Sequence, residues 1–417
     1  TISIGGFQAL LEKSPVRLRL LSLLLPCLLL TACAAPEEVE TRPKQYQATF
    51  LDVFDTVTTV MGYAESQEVF TETAEMAHDL LLEYHQLYDI YNDYEGIHNL
   101  KTVNDQAGIA PVTVDARILD LLLLCRDLYA DSGGKVNAAM GSVLLLWHEA
   151  REASVNDPEH AYLPEEDAIQ AALEHTSFDN VVLDEAASTV YLTDPAQRLD
   201  VGAVAKGYAA GAVAAALPTG MVLSLGGNVC VTGPKPDGSP WVIGVQNPDG
   251  DDTEYVQRLD ITSGAVVTSG DYQRYYTVDG VAYHHIIDPD TGWPARHYRS
   301  VTVICADSGL ADALSTAAFI MDEESGRILL ETYGAEALWV YADGSASWTG
   351  GCDAYFIHKR NMRRGEIICC ESKPSGVAST PRGARSCPAE HRWRTARRRG
   401  RWSFRCSSIS ESPARPW

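Results

Sequence analysis

Three short segments carry side chains whose types and spacing could do chemistry, and the first is LDVGAVAKGYAAGAVAAA, from residue 199 to 216. We expect Asp200 to end a strand, Gly202 to allow a tight turn, and an alanine-rich helix to follow. The N-terminus of such a helix offers free N–H groups and the positive end of its dipole, beside the ammonium of Lys206. The segment therefore predicts a phosphate site, although a closely packed strand-to-helix turn without a ligand would have the same sequence.

The second segment contains two adjacent histidines, His284 and His285, in AYHHIIDPDTG. Neighbouring residues of a strand point to opposite faces, so only one of the two can reach a site. With nearby carboxylates, that histidine could act as a general base. Adjacent strand histidines are also common as surface or packing residues, so the pair alone does not decide between these roles.

The third segment, ADSGLADALSTAAF, places Asp312 and Thr316 four residues apart on a predicted helix, and hence on one face. A carboxylate and a hydroxyl are hard oxygen ligands, which suit Mg²⁺ better than zinc. The spacing indicates a candidate magnesium site. The alternative is that Thr316 bonds its own helix backbone and that Asp312 is only solvated.

The elements that must position these segments alternate between helices and strands. Hydrophobic spacing predicts helices over 72–91, 115–134, 309–321 and 324–333, and a loop over the acidic stretch 151–167. Strands are predicted in residues 47–63, in the hairpins VVLDEAASTVYL and LWVYADGSASWTG, and in MVLSL, WVIGVQ, AVVTSG, YYTVDG, AYHHIID and SVTVICA. This pattern predicts an α+β fold with a mixed, largely antiparallel sheet and packed helices.

The beginning of the sequence indicates export. Basic residues precede an apolar run of 13 residues, Leu20 to Ala32, whose ~20 Å helical length is short of a ~30 Å bilayer core. Such a run indicates a secretory signal. Its end, Leu-Thr-Ala-Cys, resembles a bacterial lipobox, which predicts lipidation of Cys33 and a lipid-anchored protein on the extracytoplasmic face of the cell membrane. A plain signal peptide with an incidental cysteine is the alternative.

The charge divides the chain. Its 417 residues contain 33 Lys+Arg and 56 Asp+Glu, and this acidic balance argues against nucleic-acid binding because neutralising phosphates requires a basic surface. Residues 359–417 are the exception, with 15 Lys+Arg and 4 Asp+Glu. We therefore divide the chain into a signal peptide with lipobox (1–33, of which 1–15 precede an alternative start at Val16), a polar tether (34–46), one domain (47–358) and a basic tail (359–417). The tail is expected to be disordered or a translation artefact.

Eight segments resemble those of the ApbE-type family of FAD:protein FMN transferases, in the family's order and over about residues 48–350. They are VFDTVTTV, IYNDYEGIHNLKTVNDQAG, GGKVNAAMGSVLLLW, LDVGAVAKGYAAG, LSLGGN, TSGDYQRYY, YHHIIDPDTGWPA and SVTVICADSGLADALSTAAF. The resemblance implies a two-lobed flavin-transferase fold. It further implies that FAD is bound as substrate with Mg²⁺ at its diphosphate, and that FMN passes to a Thr or Ser hydroxyl of a target protein while AMP leaves.

The resemblance also assigns residues. It implies that Mg²⁺ is held by the backbone carbonyl of Ala203 and by Asp312 and Thr316, and that His285 is the catalytic residue. The implied FAD contacts are Phe54, Tyr94, Asn137, Ala138, Asp200, Lys206 and Ile286. The chain departs from the family where many members have an aspartate near Asn137, and where they have Gly-Thr in place of its Asp55-Thr56.

Two other functions fit the same residues. The site could hydrolyse FAD to FMN and AMP with water as acceptor, or the chain could be a flavin-binding lipoprotein without transfer activity. A pure carrier would not need a metal at the diphosphate. For a transferase, the expected partner is an exported or membrane protein, such as a membrane redox subunit, with a Ser/Thr-Gly-Ala-Thr-like acceptor motif.

Lipidation at Cys33 can be tested by replacing its thiol. Cys33→Ser should remove both the acyl chain and processing at this site, because the hydroxyl cannot form the thioether. Mass spectrometry of the N-terminus and membrane fractionation measure the two effects. A variant whose mature chain still begins at residue 33 would contradict the lipobox.

Overall fold

The computed structural model describes residues 43–250, 254–357, 367–369 and 407–408. The predicted signal segment, Cys33, most of the tether and most of the basic tail lie outside these residues. Within the part described, no helix combines the length and hydropathy needed to cross a bilayer. The four cysteines described in the domain are buried free thiols.

The described residues contain both helices and strands throughout. The helices are α1 (Gln67–Tyr88), α2 (Leu100–Asp105), α3 (Ala116–Asp131), α4 (Gly141–Asn156), α5 (Glu166–Leu173), α6 (Ala205–Ala216), α7 (Ser308–Ile320) and α8 (Glu323–Thr332). The strands are β1 (Lys44–Phe50), β2 (Thr58–Ala64), β3 (Val112–Thr113), β4 (Val181–Asp184), β5 (Thr189–Leu192), β6 (Met221–Leu225), β7 (Asn228–Val231), β8 (Trp241–Gln246), β9 (Tyr255–Ile261), β10 (Gly264–Gly270), β11 (Tyr275–Val278), β12 (Val281–His284), β13 (Ser300–Cys305), β14 (Glu336–Val340), β15 (Ala346–Trp348), β16 (Ile367–Cys369) and β17 (Ser407–Ser408).

A large antiparallel sheet has the strand order β15-β14-β13-β10-β7-β6-β2-β1-β17. Both of its faces are covered, as the side-chain alternation along β6 shows. Leu223 belongs to a core shared with helices α1, α6 and α7, whereas Val222 belongs to a second core shared with Trp241 and Ile243 of β8. The expected mixed, largely antiparallel α+β fold is confirmed.

A third, smaller hydrophobic cluster supports the segment that contains the two histidines. It joins α4 and α5 to the hairpin β11–β12, with Trp147, Tyr276 and Ile287 at its centre. The indole Nε1–H of Trp147 donates to the carbonyl of Gly292, 2.8 Å away. The polar turn after the histidines is thereby attached to a buried helix.

The structure corrects several predicted boundaries. Helix α1 begins after the N-cap Ser66, five residues before the predicted start, and Met76 of its predicted apolar face is exposed because small alanines make the close contacts. The predicted loop 151–167 is helical up to Asn156. Strand β1 begins at Lys44, inside the predicted tether.

Two short parts of the basic tail are described, and both pair with the domain. Strand β16 lies parallel to β8, and β17 lies antiparallel to β1. These two described parts of the tail therefore form strands, which differs from the disordered tail that we expected. The expectation of a disordered or artefactual tail stays a prediction for the rest of 359–417.

Helices α6 and α7 pack closely against each other, and this close packing depends on Gly207. A Cβ on Gly207 would lie 2.3 Å from the backbone oxygen of Ser308 and 2.4 Å from the Cβ of Asp312. Gly211, one turn later, is less crowded, since its Cβ would lie 3.3 Å from the Cβ of Ser308. Only a residue without a side chain fits at position 207.

Gly207→Ala should therefore destabilise the protein by about 1–3 kcal/mol, because the backbone of α7 cannot move aside cheaply. Gly211→Ala is the matched control and should change the free energy of unfolding by less than about 1 kcal/mol, since helix propensity offsets a small adjustment. Urea unfolding of both variants measures the difference. Equal stabilities would contradict the close contact.

Candidate active site

All three chemically suggestive segments line one cavity of about 230 Å³. Of the residues implied as FAD or metal contacts, it contains Asn137, Asp200, Ala203, Lys206, Ile286, Asp312 and Thr316, together with His285. These residues come from positions up to 179 apart in the chain, so the fold, not the sequence, brings them together. A second cavity of about 250 Å³ shares Tyr91, Asp200, Gly202, Lys206 and Arg274 with the first.

A buried carboxylate is the central feature of the first cavity. Asp312 is 3% exposed, and its Oδ2 accepts a 2.8 Å hydrogen bond from the backbone N–H of Gly207 in the first turn of α6. The ammonium of Lys206 lies 3.7 Å from the same oxygen. Burial raises the pKa of Asp312, and the Lys206 charge and the Gly207 N–H only partly oppose this effect. A metal cation bound beside Asp312 would lower the pKa of its carboxyl group again.

This arrangement changes the expected use of the helix N-terminus. We predicted that its N–H groups would be free for phosphate, yet the Gly207 N–H binds the carboxylate of Asp312. Asp200 also differs from its prediction, because it lies in an extended segment outside any strand and its Oδ1 accepts from Gly202 N–H at 2.8 Å. Burial raises the pKa of Asp200, opposed by that hydrogen bond and by nearby cations.

The oxygen atoms at and around Asp312 could be ligands of a hard metal ion whose remaining ligands come from substrate and water. Thr316 is one helical turn away, with its Oγ1 3.3 Å from the hydroxyl of Ser269, and Ala203 also lines the cavity. Among the described residues, no three His, Cys, Asp or Glu side chains gather as a metal cage. Mg²⁺ is usually held by one or two carboxylates with substrate phosphates and water, so one carboxylate with neutral oxygens suits it.

The adjacent histidines differ in their surroundings, and His285 lies just after the end of β12 rather than in the strand. His284 is 5% exposed, its Nε2–H donates to the carbonyl of Ala295 at 2.7 Å, and its Nδ1 accepts from Ile286 N–H at 3.2 Å. Both histidines line the cavity, and His285 is the more exposed of the two. Poor solvation within the cavity, together with the charges of Arg274 and other cations, lowers the pKa of His285 well below its usual value. The ring is therefore neutral at pH 7 and can accept a proton.

The implied Phe54 contact lies in the second cavity, in a strained loop. Phe54 and Asp55 both have positive φ, 54° and 49°. Asp55 occupies the position where many members of the family have glycine, which adopts this conformation without cost, while aspartate tolerates it. The backbone N–H of Phe54 donates to Nδ1 of His85 at 3.1 Å, and this contact holds the loop on α1.

The implied tyrosine contact is behind the cavity wall. The hydroxyl of Tyr94 donates to Oδ2 of Asp89 at 2.7 Å, and neither cavity includes Tyr94 in its lining. Tyr91, three residues earlier, lines both cavities and stacks on His148 with ring centroids 4.8 Å apart. Tyr91 was not among the predicted contacts, although both tyrosines stand in the segment IYNDYEGIHNLKTVNDQAG.

The remaining implied contacts are split between lining and support. Asn137 lines the first cavity, and its amide is fixed by bonds to Ala139 N–H and Thr176 C=O, each 2.9 Å. Ala138 is buried and its carbonyl accepts from Asp200 N–H at 2.8 Å. Ala138 therefore positions Asp200 from behind the wall.

Comparison with known proteins identifies the family of this chain. The sequence profile described as "ApbE family" matches residues 54–339. The chain belongs to the ApbE family. It is 34% identical over 288 residues to a FAD:protein FMN transferase of Treponema pallidum, which covers 63% of this chain and 77% of that protein. A FAD:protein FMN transferase of Klebsiella pneumoniae is 34% identical over 250 residues, covering 58% and 75%.

Solved structures of the family have the same fold. The ApbE protein of Thermotoga maritima superposes with a TM-score of 0.68 at 30% identity, over 76% of this chain and all of that one. The apo flavinyl transferase ApbE of Pseudomonas stutzeri gives 0.63 at 26% identity, over 76% and 98%. The predicted ApbE membership and fold class are thus confirmed.

The buried neutral His284 predicts a specific loss of stability in acid. Burial lowers its pKa to about 4, against about 6.5 in an unfolded chain, so the unfolded state binds more protons between these values. Neutral His284 therefore contributes about 3 kcal/mol to the free energy of unfolding above pH 6.5, and this contribution is lost as the pH falls to 4.

His284→Gln should flatten the pH dependence of the free energy of unfolding between pH 6.5 and 4. His160→Gln is the control, because that imidazole is 80% exposed. Urea unfolding at several pH values compares the three proteins. An unchanged slope in His284→Gln would refute the assignment of this proton uptake to His284.

Proposed function

We propose that this ApbE-family protein transfers FMN from FAD to a Ser or Thr hydroxyl of an exported or membrane protein, with Mg²⁺ bound and AMP released. Family membership and the names of the curated relatives make the chain a FAD:protein FMN transferase. The metal, the acceptor hydroxyl and the leaving group are the finer part of the proposal. The observation that carries it is the buried Asp312, held beside Lys206 in a cavity that His285 also enters.

The two connected cavities suit a substrate with two halves. They share Asp200, Gly202 and Lys206, so a dinucleotide that occupied both would place its diphosphate next to these residues. Lys206 is the fixed positive charge there, with its Nζ 3.3 Å from the carbonyl of Gly202. The flat flavin ring has the stacked pair of Tyr91 and His148 as an aromatic surface.

The reaction follows from these groups. The acceptor oxygen forms a bond to the FMN phosphorus, the bond from that phosphorus to the bridging oxygen breaks, and AMP departs with the bridging oxygen. Neutral His285 takes the proton of the hydroxyl. Phosphoryl transfer of this kind depends mainly on positioning and charge neutralisation, and therefore on the fixed lysine and the helix-bound carboxylate.

Asp312, Thr316 and the carbonyl of Ala203 would hold Mg²⁺. When bound, the ion would neutralise charge on the diphosphate and orient it. Helix α6 positions the Asp312 carboxylate, because the N–H of Gly207 fixes one of its oxygens. Thr316 is positioned by Ser269, whose hydroxyl lies 2.8 Å from the hydroxyl of Ser315.

The setting outside the catalytic domain is part of the proposal. The signal segment with its lipobox supports anchoring through a lipid on Cys33, at the extracytoplasmic face of the cell membrane. An enzyme in that position would meet membrane redox subunits. The acceptor is proposed to carry a Ser/Thr-Gly-Ala-Thr-like motif.

The metal site is tested with Asp312→Asn, which keeps an acceptor for Gly207 N–H but removes the charge. Mg²⁺ affinity and FMN transfer should both fall steeply. Thr316→Val should act in the same direction more weakly, because a neutral oxygen contributes less to binding a hard cation. Calorimetric titration of Mg²⁺ with FAD present, alongside the mass gain of the acceptor, measures both. Normal Mg²⁺-dependent transfer by Asp312→Asn would rule out this metal site.

The base is tested by His285→Ala, which should leave FAD and Mg²⁺ binding intact and slow transfer by ~10²–10⁴. Since the pKa of His285 is lowered, the wild-type rate should stay constant as pH falls through 6.5 and decline only at lower pH. Single-turnover rates across pH measure this. Full activity of the variant would exclude His285 as the base, whereas a decline centred near 6.5 would contradict only the lowered pKa of this residue.

A further inference from the structure

The junction between the two cavities contains a second cation that has no assigned role. Arg274 follows strand β10, lines both cavities and is open to them. Its backbone carbonyl accepts from the N–H of His285 at 3.1 Å. The guanidinium and the imidazole thus extend from hydrogen-bonded positions of neighbouring segments, and both enter the first cavity.

The other cations of the cavity lining already have partners. Lys135 lies 2.7 Å from Asp288 and 2.8 Å from Asp290. Arg151 pairs with Glu152 at 2.9 Å, and Lys206 has its contacts with Gly202 and Asp312. The guanidinium of Arg274, by contrast, has neither a hydrogen-bond acceptor nor an ion-pair partner among the residues that the structure describes.

An unpaired guanidinium inside an acidic protein indicates an anionic ligand. Its planar set of N–H donors matches two oxygens of one phosphate, which an ammonium cannot contact in the same way. Arg274 borders both cavities, and the group that joins the two halves of a dinucleotide is its diphosphate. The guanidinium of Arg274 is therefore in position to contact the phosphate that is transferred.

We propose that Arg274 is a further catalytic residue, which binds the FMN phosphate of FAD bidentately and holds it more tightly as it is transferred. This inference rests on the proposed function. While the acceptor oxygen bonds to phosphorus and AMP departs with the bridging oxygen, negative charge spreads over the oxygens of the transferred group. Arg274 neutralises that charge from the β10–β11 loop, and Lys206 does so from α6.

The test compares Arg274→Ala and Arg274→Lys with the wild type. Single-turnover transfer at saturating FAD should slow by ~10²–10³ in Arg274→Ala, the usual effect of removing one donor to a transition state. Arg274→Lys should recover only a small part, since it restores charge without the planar fork. Guanidinium ion at millimolar concentration should partly rescue Arg274→Ala and leave Arg274→Lys unchanged.

Binding measurements locate the contact independently of turnover. Arg274→Ala should weaken binding of FAD and of FMN, and leave binding of riboflavin, which has no phosphate, unchanged. Arg126→Ala is the matched control, because that arginine is exposed on α3 and pairs with Asp127. It should leave the transfer rate and all three affinities as in the wild type.

The outcomes separate this inference from the proposed function. A wild type that binds FAD but never modifies an acceptor defeats the proposed function, and the FAD–riboflavin comparison still decides whether Arg274 contacts phosphate. If the wild type transfers FMN and Arg274→Ala does so equally fast at saturating FAD, the proposal for Arg274 is overturned. Equal loss of FAD and riboflavin binding would also overturn it, as would failure of guanidinium to rescue, since either would indicate a structural defect.

Discussion

The hydrogen bond from the Gly207 amide to the Asp312 carboxylate is the contact on which the site depends. It ties the first turn of α6 to the middle of α7 at a distance that only glycine permits. A buried carboxylate without partners would be costly and would remain protonated. The helix amide and Lys206 reduce that cost in part, and a metal cation bound in the cavity would favour the charged carboxylate further.

The rest of the cavity lining combines this carboxylate and Asp200 with several cations. The chain carries 56 acidic and 33 basic residues, yet four cations line the first cavity. Lys135 and Arg151 are neutralised by neighbouring carboxylates, whereas Lys206 and Arg274 point at the junction of the cavities. These two cations can contact a diphosphate directly, although Asp200 and Asp312 lie in the same lining.

Local patterns in the sequence predicted the parts of the site that depend on one element. Asp312 and Thr316 share a helix face because of their spacing, and both line the cavity. Strand alternation applies less directly to the two histidines, because β12 ends at His284 and both residues line the cavity. The antiparallel α+β fold was also predictable, since short strands with glycine turns dominate the second half of the chain.

What the sequence did not reveal depends on contacts between distant segments. The use of the α6 N-terminus by a carboxylate depends on α7, which lies about a hundred residues later. Tyr91 and Tyr94 cannot be separated by spacing, because Tyr94 is turned to Asp89 by a hydrogen bond within an irregular loop. The helical part of 151–167 continues α4, whose earlier residues pack in the third hydrophobic cluster with segments far along the chain.

We propose that this cavity moves FMN from FAD onto a protein hydroxyl. The most direct measurement is to incubate the wild-type protein with FAD, Mg²⁺ and a domain that carries the acceptor motif, and to quantify AMP, free FMN and modified acceptor together. We predict that AMP and FMN-bearing acceptor appear in equal amounts and only when Mg²⁺ is present. AMP accompanied by an equal amount of free FMN, with the acceptor unmodified, would contradict transfer and establish hydrolysis.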